Sequence, residues 1–365
     1  MKVRYSYLKQ QFENCDDLWA ELKAFVPTGD FTLGKPLTEF ENKFAKLIGT
    51  KHAIGVNSGT DAIKLSLKAI GIGHGDEVIT TANTFVATVG AIMELGAIPI
   101  FVDCDDSFCM DVSQLEAVIT PKTKAIVPVH LTGRVAKMDQ ILNIAKKHDL
   151  MVIEDSAQSV GAEFNGQKAG SFGDAASFSF HPLKNLHAFG DAGMITTNRL
   201  EIVEELNVLK NHGLIDRSTC SQWGMNCRLD ELQASFLGVQ LPQLDVWTEE
   251  RRAIAKYYNQ SLSKVVIVPT EEVNQKHVYQ TYVIRSDRRD ALKEFLSLNG
   301  VEALIHYPVP IHLQPAAKYL NYKMGDFPVV EKLSGEILSL PLYPGMPIEF
   351  QERVTGLILE FYGNN

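Results

Sequence analysis

Apolar and polar positions follow two patterns along the chain. From about residue 30 to 245, short apolar runs alternate with amphipathic stretches, the signature of an α/β sheet. HAIGV (52–56), EVITT (77–81), IPIFVD (98–103), AIVPVHL (125–131), LMVIED (150–155), ASFSF (176–180) and MITT (194–197) predict strands. IPIFVD, AIVPVHL and LMVIED are continuous apolar runs, as strands covered on both faces of a mainly parallel sheet are. TDAIKLSLKAIG (60–71), TFVATVGAIMELG (84–96) and MDQILNIAKKHD (138–149) predict helices between them. The second pattern begins near 240–262, a long polar-faced helix that reads as a bridge. HVYQTYVIRS, RRDALKEFLSLNG and VEALIHYP after it predict strand, helix and strand. The expectation is an α/β protein with an N-terminal arm (1–30), a large domain on a mainly parallel seven-stranded sheet (31–245) and a smaller C-terminal α+β domain (246–365).

Composition narrows the function classes. The 365 residues are 45% apolar and 22% charged, ordinary for a globular protein and far from disorder or collagen. No apolar stretch nears the roughly 20 residues that cross a bilayer, so no membrane partner is expected. The start, MKVRYSYLKQQFENCDDLW, has no apolar core of a secretory signal. Thirty-five basic against 44 acidic residues leave a net charge of -9, and no long basic run offsets it, so nucleic acid is not an expected partner. Cys15, Cys104, Cys109, Cys220 and Cys227 are odd in number and lack CxxC spacing. They read as reduced thiols of a cytoplasmic protein, most of them packing residues, with no cysteine-held metal.

Candidate chemistry starts at Asp155, which ends an apolar strand in VIEDSAQ, where open α/β sheets place their ligands. It reads equally as a helix cap. Lys184 follows in ASFSFHPLKNLHAFGDAGMITTN, an apolar, aromatic and glycine-rich setting that favours a lowered pKa and an amine nucleophile or base, where a lone lysine is normally a solvated surface residue. A strand-end aspartate and a sequestered lysine fit pyridoxal 5'-phosphate. Ser58-Gly59-Thr60 between strand and helix suits a phosphate, as any strand–helix turn does. Ser179 offers a further hydroxyl or a buried strand serine. Phe85 offers a ring face or plain core.

These residues stand in longer motifs: LGKPLTEFENKFAKLIG, VNSGTDAIKLSLKAIGIGHGDEVIT, TFVATVGAIMELGAIPIFVD, IVPVHLTG, IEDSAQSVGA, SFSFHPLKNLHAFGDAGMITTN, GMNCRLDELQAS and IHYPVPIHLQPA. In this order, from about residue 30 to 345, they resemble the DegT/DnrJ/EryC1/StrS nucleotide-sugar aminotransferases of the pyridoxal-phosphate-dependent fold type I. The resemblance implies that Lys184 is the Schiff-base lysine and proton carrier, that Asp155 pairs with the pyridine nitrogen and that Gln158 faces the ring 3-hydroxyl. It implies Ser58, Gly59, Thr60 and Ser179 at the phosphate, Phe85 stacked on the ring, and Asn226 reaching the phosphate of a neighbouring subunit in a homodimer with shared sites. It implies pyridoxal phosphate and its pyridoxamine form, L-glutamate as amino donor and a nucleotide-linked keto sugar as acceptor, in amino-sugar biosynthesis for a surface polysaccharide or secondary metabolite.

KNLHAFGDAG resembles members acting at C3 of the sugar. His181, Leu183 and His187 depart from the family text around Lys184, and His181 reads either as a sugar contact or proton relay or as structural. His306 and Tyr307 resemble a small-domain element near the substrate mouth. Gly190 and Gly193 are expected to serve the turn after the lysine. Two other functions compete: a sugar dehydratase of the same superfamily, which carries histidine in place of the lysine, and a non-catalytic regulator, which needs a broken site or a basic DNA-reading helix. Lys184 and the absence of such a helix favour the transaminase.

Overall fold

The computed structural model describes residues 2–13 and 15–363. Seven strands form one sheet: β1 (His52–Val56), β2 (Glu77–Thr81), β3 (Ile98–Val102), β4 (Thr123–Val127), β5 (Met151–Asp155), β6 (Ala175–Ser179) and β7 (Gly193–Thr197). Their order is β1–β7–β6–β5–β4–β2–β3. β7 runs antiparallel to both neighbours and the other pairings are parallel, so the mainly parallel seven-stranded sheet expected from the apolar runs is present.

Alternation along the strands explains why those runs carry no polar face. Val78, Val127 and Ile153 join one buried cluster, while their neighbours Ile79, Ile126 and Val152 join another on the opposite side. The first cluster includes Ala62, Ile63, Leu65 and Leu67 of helix α1 (Gly59–Ala69). The second includes Met138, Ile141 and Ala145 of α3 (Met138–Lys147), and α2 (Val86–Met93) lies between them in the chain. Helices on both faces leave neither face for polar residues.

The long polar-faced helix is α4 (Leu244–Leu262), preceded by a 3-10 turn at Leu241–Gln243. Its Ile254, Tyr258 and Leu262 enter a further core with Tyr282, Leu292, Leu338 and Val354. There β8 (Tyr282–Arg285) pairs antiparallel with β9 (Ile337–Leu340), and α5 (Arg289–Leu298) follows β8. The strand expected at VEALIHYP does not form. Val301 bridges Val3 and Leu304 bridges Ser339, two different partners that leave no continuous ladder, and Pro308 has no N–H to extend one. ILSL of β9 pairs with β8 instead.

The N-terminal segment lies against this core: Val3 is fully buried and Tyr7 stacks on Tyr343. Among the described residues no helix is long and apolar enough to cross a membrane, and no group of His, Cys, Asp or Glu could hold a metal ion. The five cysteines are free thiols, four buried and Cys220 exposed.

Candidate active site

Consecutive carboxylates end β5 and point to opposite faces. Glu154 is fully buried, 2.9 Å from His130 Nε2, and accepts amide N–H bonds from Gly170, Phe172 and Gly173. Asp155 faces a cavity of about 380 Å³ at the carboxyl end of the sheet. One of its oxygens accepts the Ala157 amide at 3.1 Å, a capping contact of the kind its position allowed. The other accepts the Thr88 hydroxyl at 2.7 Å, and Thr88 lies 2.7 Å from the Thr84 hydroxyl. The carboxylate is therefore both a turn-former and a group oriented by α2.

Lys184 sits in the loop between β6 and β7, half-buried on the same cavity. Its amide donates to His181 O at 2.8 Å. Gln280 clamps the loop, donating to Leu183 O and accepting from Asn185 N. Burial lowers the Lys184 ammonium to about 8, against the opposing attraction of Asp155.

The turn after β1 supplies a third group. Ser58 caps α1, accepting the Asp61 amide at 3.1 Å and donating to its carboxylate at 2.9 Å. The Gly59 and Thr60 amides, first in the helix, have no intrahelical acceptor. A Cβ on Gly59 would stand 2.7 Å from Ser179 Cβ, so only glycine lets the helix start approach the end of β6. Gly193 does not act in the turn as expected. It begins β7, where a Cβ would meet Ser58 O at 2.4 Å, whereas Gly190, at φ 150°, does take a left-handed position.

The cavity thus gathers Ser58, Gly59, Thr60, Phe85, Asp155, Gln158, Ser179 and Lys184. Phe85 is 49% exposed with its ring 5.4 Å from Tyr307, so it is not core. Gln158 accepts the Thr132 amide at 2.8 Å and donates to Tyr307 at 3.4 Å, which fixes its amide. His181 also lines the cavity, and burial lowers its pKa against the pull of Asp191. His187 is buried behind the lysine loop, stacked on Trp247 and 3.2 Å from Lys184 O, and burial lowers it to about 4. Asn226 is outside the cavity. It is exposed, and its carbonyl oxygen accepts from Arg228 Nε at 2.9 Å.

The sequence reading missed several walls. Thr84 and Thr88, one helical turn apart in an apolar stretch, carried a readable signal. Tyr5 of the arm, Arg251 of α4 and Thr281 before β8 come from distant segments, and nothing local marks them.

A lowered amine facing a strand-end carboxylate, beside two uncommitted helix amides and a glycine cradle, is a donor set that fits pyridoxal phosphate: carbonyl, ring nitrogen and phosphate each find a counterpart. The profile of the DegT/DnrJ/EryC1/StrS aminotransferase family matches residues 14–359. A Geobacillus stearothermophilus "Pleiotropic regulatory protein" is 44% identical over 99% of both chains. The "dTDP-3-amino-3,4,6-trideoxy-alpha-D-glucose transaminase" of Micromonospora megalomicea subsp. nigra is 40% identical, over 98% of this chain and 97% of that one. The crystal structure of NtdA from Bacillus subtilis with bound cofactor PMP superposes with a TM-score of 0.93 at 31% identity, covering 99% of this chain and 85% of that one.

Fold and site define a pyridoxal-phosphate-dependent aminotransferase. The chain belongs to the DegT/DnrJ/EryC1/StrS aminotransferase family.

Proposed function

We propose that this enzyme transfers an amino group from L-glutamate to the 3-oxo sugar of a nucleoside-diphosphate sugar, in amino-sugar biosynthesis in the cytoplasm. The observation that carries the reading is the approach of Lys184 and Asp155 to one cavity, with the lysine amine lowered to about 8. Bound there, pyridoxal phosphate supplies the electron sink for the bond broken at the carbon bearing the amine.

The chain's residues do the rest. Lys184 holds the cofactor, and its amine takes the proton from the substrate carbon and returns it. Asp155, held by Thr88 and Ala157, keeps a proton on the ring nitrogen. Gly59 and Thr60 offer amides to the phosphate, and Ser179 a hydroxyl. Ser58 contributes by holding the helix start open, since its own hydroxyl is committed to Asp61. Phe85 covers one ring face, and Gln158 meets the ring hydroxyl. We assign Asn226 to the phosphate of a partner subunit, a role its exposed position permits.

The 3-oxo preference is supported by KNLHAFGDAG and by the name of the Micromonospora relative. The name of the Geobacillus relative favours a second reading, a regulator. The assembled cavity and retained Lys184 favour catalysis. Purified protein mixed with L-glutamate and a panel of dTDP-, UDP- and GDP-keto sugars, read by mass spectrometry, tests both. Amination of a 3-oxo sugar supports the proposal, and no amination of any sugar by cofactor-loaded protein refutes it.

A further inference from the structure

Four consecutive carbonyl oxygens of the loop that carries Lys184 are each held by a different donor. His181 O accepts the Lys184 amide at 2.8 Å, and Pro182 O accepts from Gln11 Nε2 of the N-terminal segment at 3.4 Å. Leu183 O accepts from Gln280 Nε2 at 2.7 Å. Lys184 O itself lies 3.2 Å from Nδ1 of His187. A carbonyl oxygen can only accept, so Nδ1 carries the proton of this bond. Burial lowers the imidazole to about 4, so at neutral pH it has a single N–H and spends it on Lys184 O. The buried ring stacks on Trp247 of α4, 5.3 Å between centroids and 22° between planes, and meets Phe12 edge-on at 5.6 Å and 84°. Phe12 in turn packs on Phe189 and Phe236. His187 is one of the three departures from the family text around Lys184, and no step assigned above uses it.

We propose that His187 is a positioning residue for Lys184, holding the backbone from which the lysine side chain enters the cavity. The inference rests on the transaminase reading and says how the working amine is kept in place. That amine stands at the end of a flexible four-carbon stem. It must hold the cofactor at one moment and carry a proton at another, so its tip cannot be fixed. Only the root of the stem can be, and a displaced root misplaces the amine at every step. The Lys184 carbonyl is bonded directly to that root, and His187 is its side-chain donor. The ring has a second effect. Set between Phe12 and Trp247, it joins the N-terminal segment to the bridging helix behind the loop, so the donor cannot swing away from Lys184 O without disturbing both. A glycine at this position would offer neither ring nor side-chain donor.

Three variants separate the donor from the ring. His187→Asn keeps an N–H donor close to the Nδ1 position and loses the ring, His187→Phe keeps the ring and loses the donor, and His187→Gly loses both. The apo-protein gives the first readout. Hydrogen exchange of the amides at 184–189 should be roughly 3- to 10-fold faster in His187→Phe and His187→Gly, and closer to wild type in His187→Asn. Mixing apo-protein with pyridoxal phosphate gives the second, as the growth of visible absorption. Its rate should fall roughly 3- to 30-fold in His187→Phe and His187→Gly and be partly restored in His187→Asn. In single turnover with L-glutamate the limiting rate should fall by a similar factor while KM stays within about 2-fold, since the donor's own contacts are untouched. Thermal denaturation checks folding, and if His187→Phe does not fold, His187→Asn against His187→Gly carries the test. Wild-type-like capture and turnover in His187→Phe, a loss taken up wholly by KM, or a His187→Asn no better than His187→Gly each overturns the role. Faster exchange with unchanged rates makes His187 a packing group and overturns it too. Slowed capture in the variants of an enzyme that takes no amine from L-glutamate, or aminates no sugar, would uphold the positioning and refute only that part of the proposed function.

Discussion

The lowered Lys184 amine predicts how the apo-protein captures its cofactor as pH changes. Attack on the cofactor carbonyl requires the neutral amine. Burial depresses the ammonium form, and the Asp155 carboxylate only partly restores it, leaving the group at about 8 against an ordinary lysine value of 10.5. At about 8 the neutral fraction is about 0.09 at pH 7 and about 0.9 at pH 9, a tenfold rise that then flattens. An ordinary lysine would climb about 100-fold over the same interval and still be rising. Stopped-flow mixing of apo-protein with pyridoxal phosphate from pH 6 to 10, followed by visible absorption, separates the two curves. The expected profile bends near pH 8. Asp155→Asn removes the opposing influence, so its bend should move to lower pH. A rate that climbs without a bend to pH 10, or a bend that Asp155→Asn moves upward, would refute the reasoning.

Asp155→Asn should also lower kcat more than affinity for pyridoxal phosphate, because the contact acts on the ring's electronics beyond its binding worth of about 1.5–3 kcal/mol; equilibrium cofactor titration beside turnover checks this. Gly59→Ala drives a methyl to 2.7 Å from Ser179 Cβ. It should cost about 1–3 kcal/mol of stability and weaken cofactor binding, measured by denaturant unfolding and titration. If Asn226 serves a partner's site, mixing inactive Lys184→Ala and Asn226→Ala subunits should restore activity above either parent, since one site of each heterodimer then carries neither defect. No recovery despite proven subunit exchange would mean that Asn226 acts within its own chain or not at all.

The large sheet was legible because burial on two faces writes itself into continuous apolar runs, and all seven strands sit where those runs are. Asp155 and Lys184 were legible because a carboxylate and an amine are out of place in such surroundings. The C-terminal part was harder to read. VEALIHYP looks as strand-like as ILSL, and only the partners available in space decide which one pairs with β8. Arg251 and Thr281 were invisible for the same reason. On a polar helix face an arginine reads as solvated, and what makes Arg251 unusual is the fold that buries it. Asn226 came only from the resemblance, and within one chain it is exposed, accepting from Arg228 away from the cavity.

The bridge between Val3 and Val301 also bears on synthesis. Tyr5, Ser6 and Tyr7 close one wall of the cavity, and the segment is pinned by Val3 N–H to Gly300 O and by Glu302 N–H to Val3 O. Those contacts span almost 300 positions of a 365-residue chain. The seven strands of the large sheet, Lys184 and the phosphate turn all leave the ribosome well before the segment that pins the first residues. A nascent chain can therefore hold a finished sheet while its catalytic chamber stands open on one side. Closing that side waits for residues 300–302 to be made, because they pin the first residues in place.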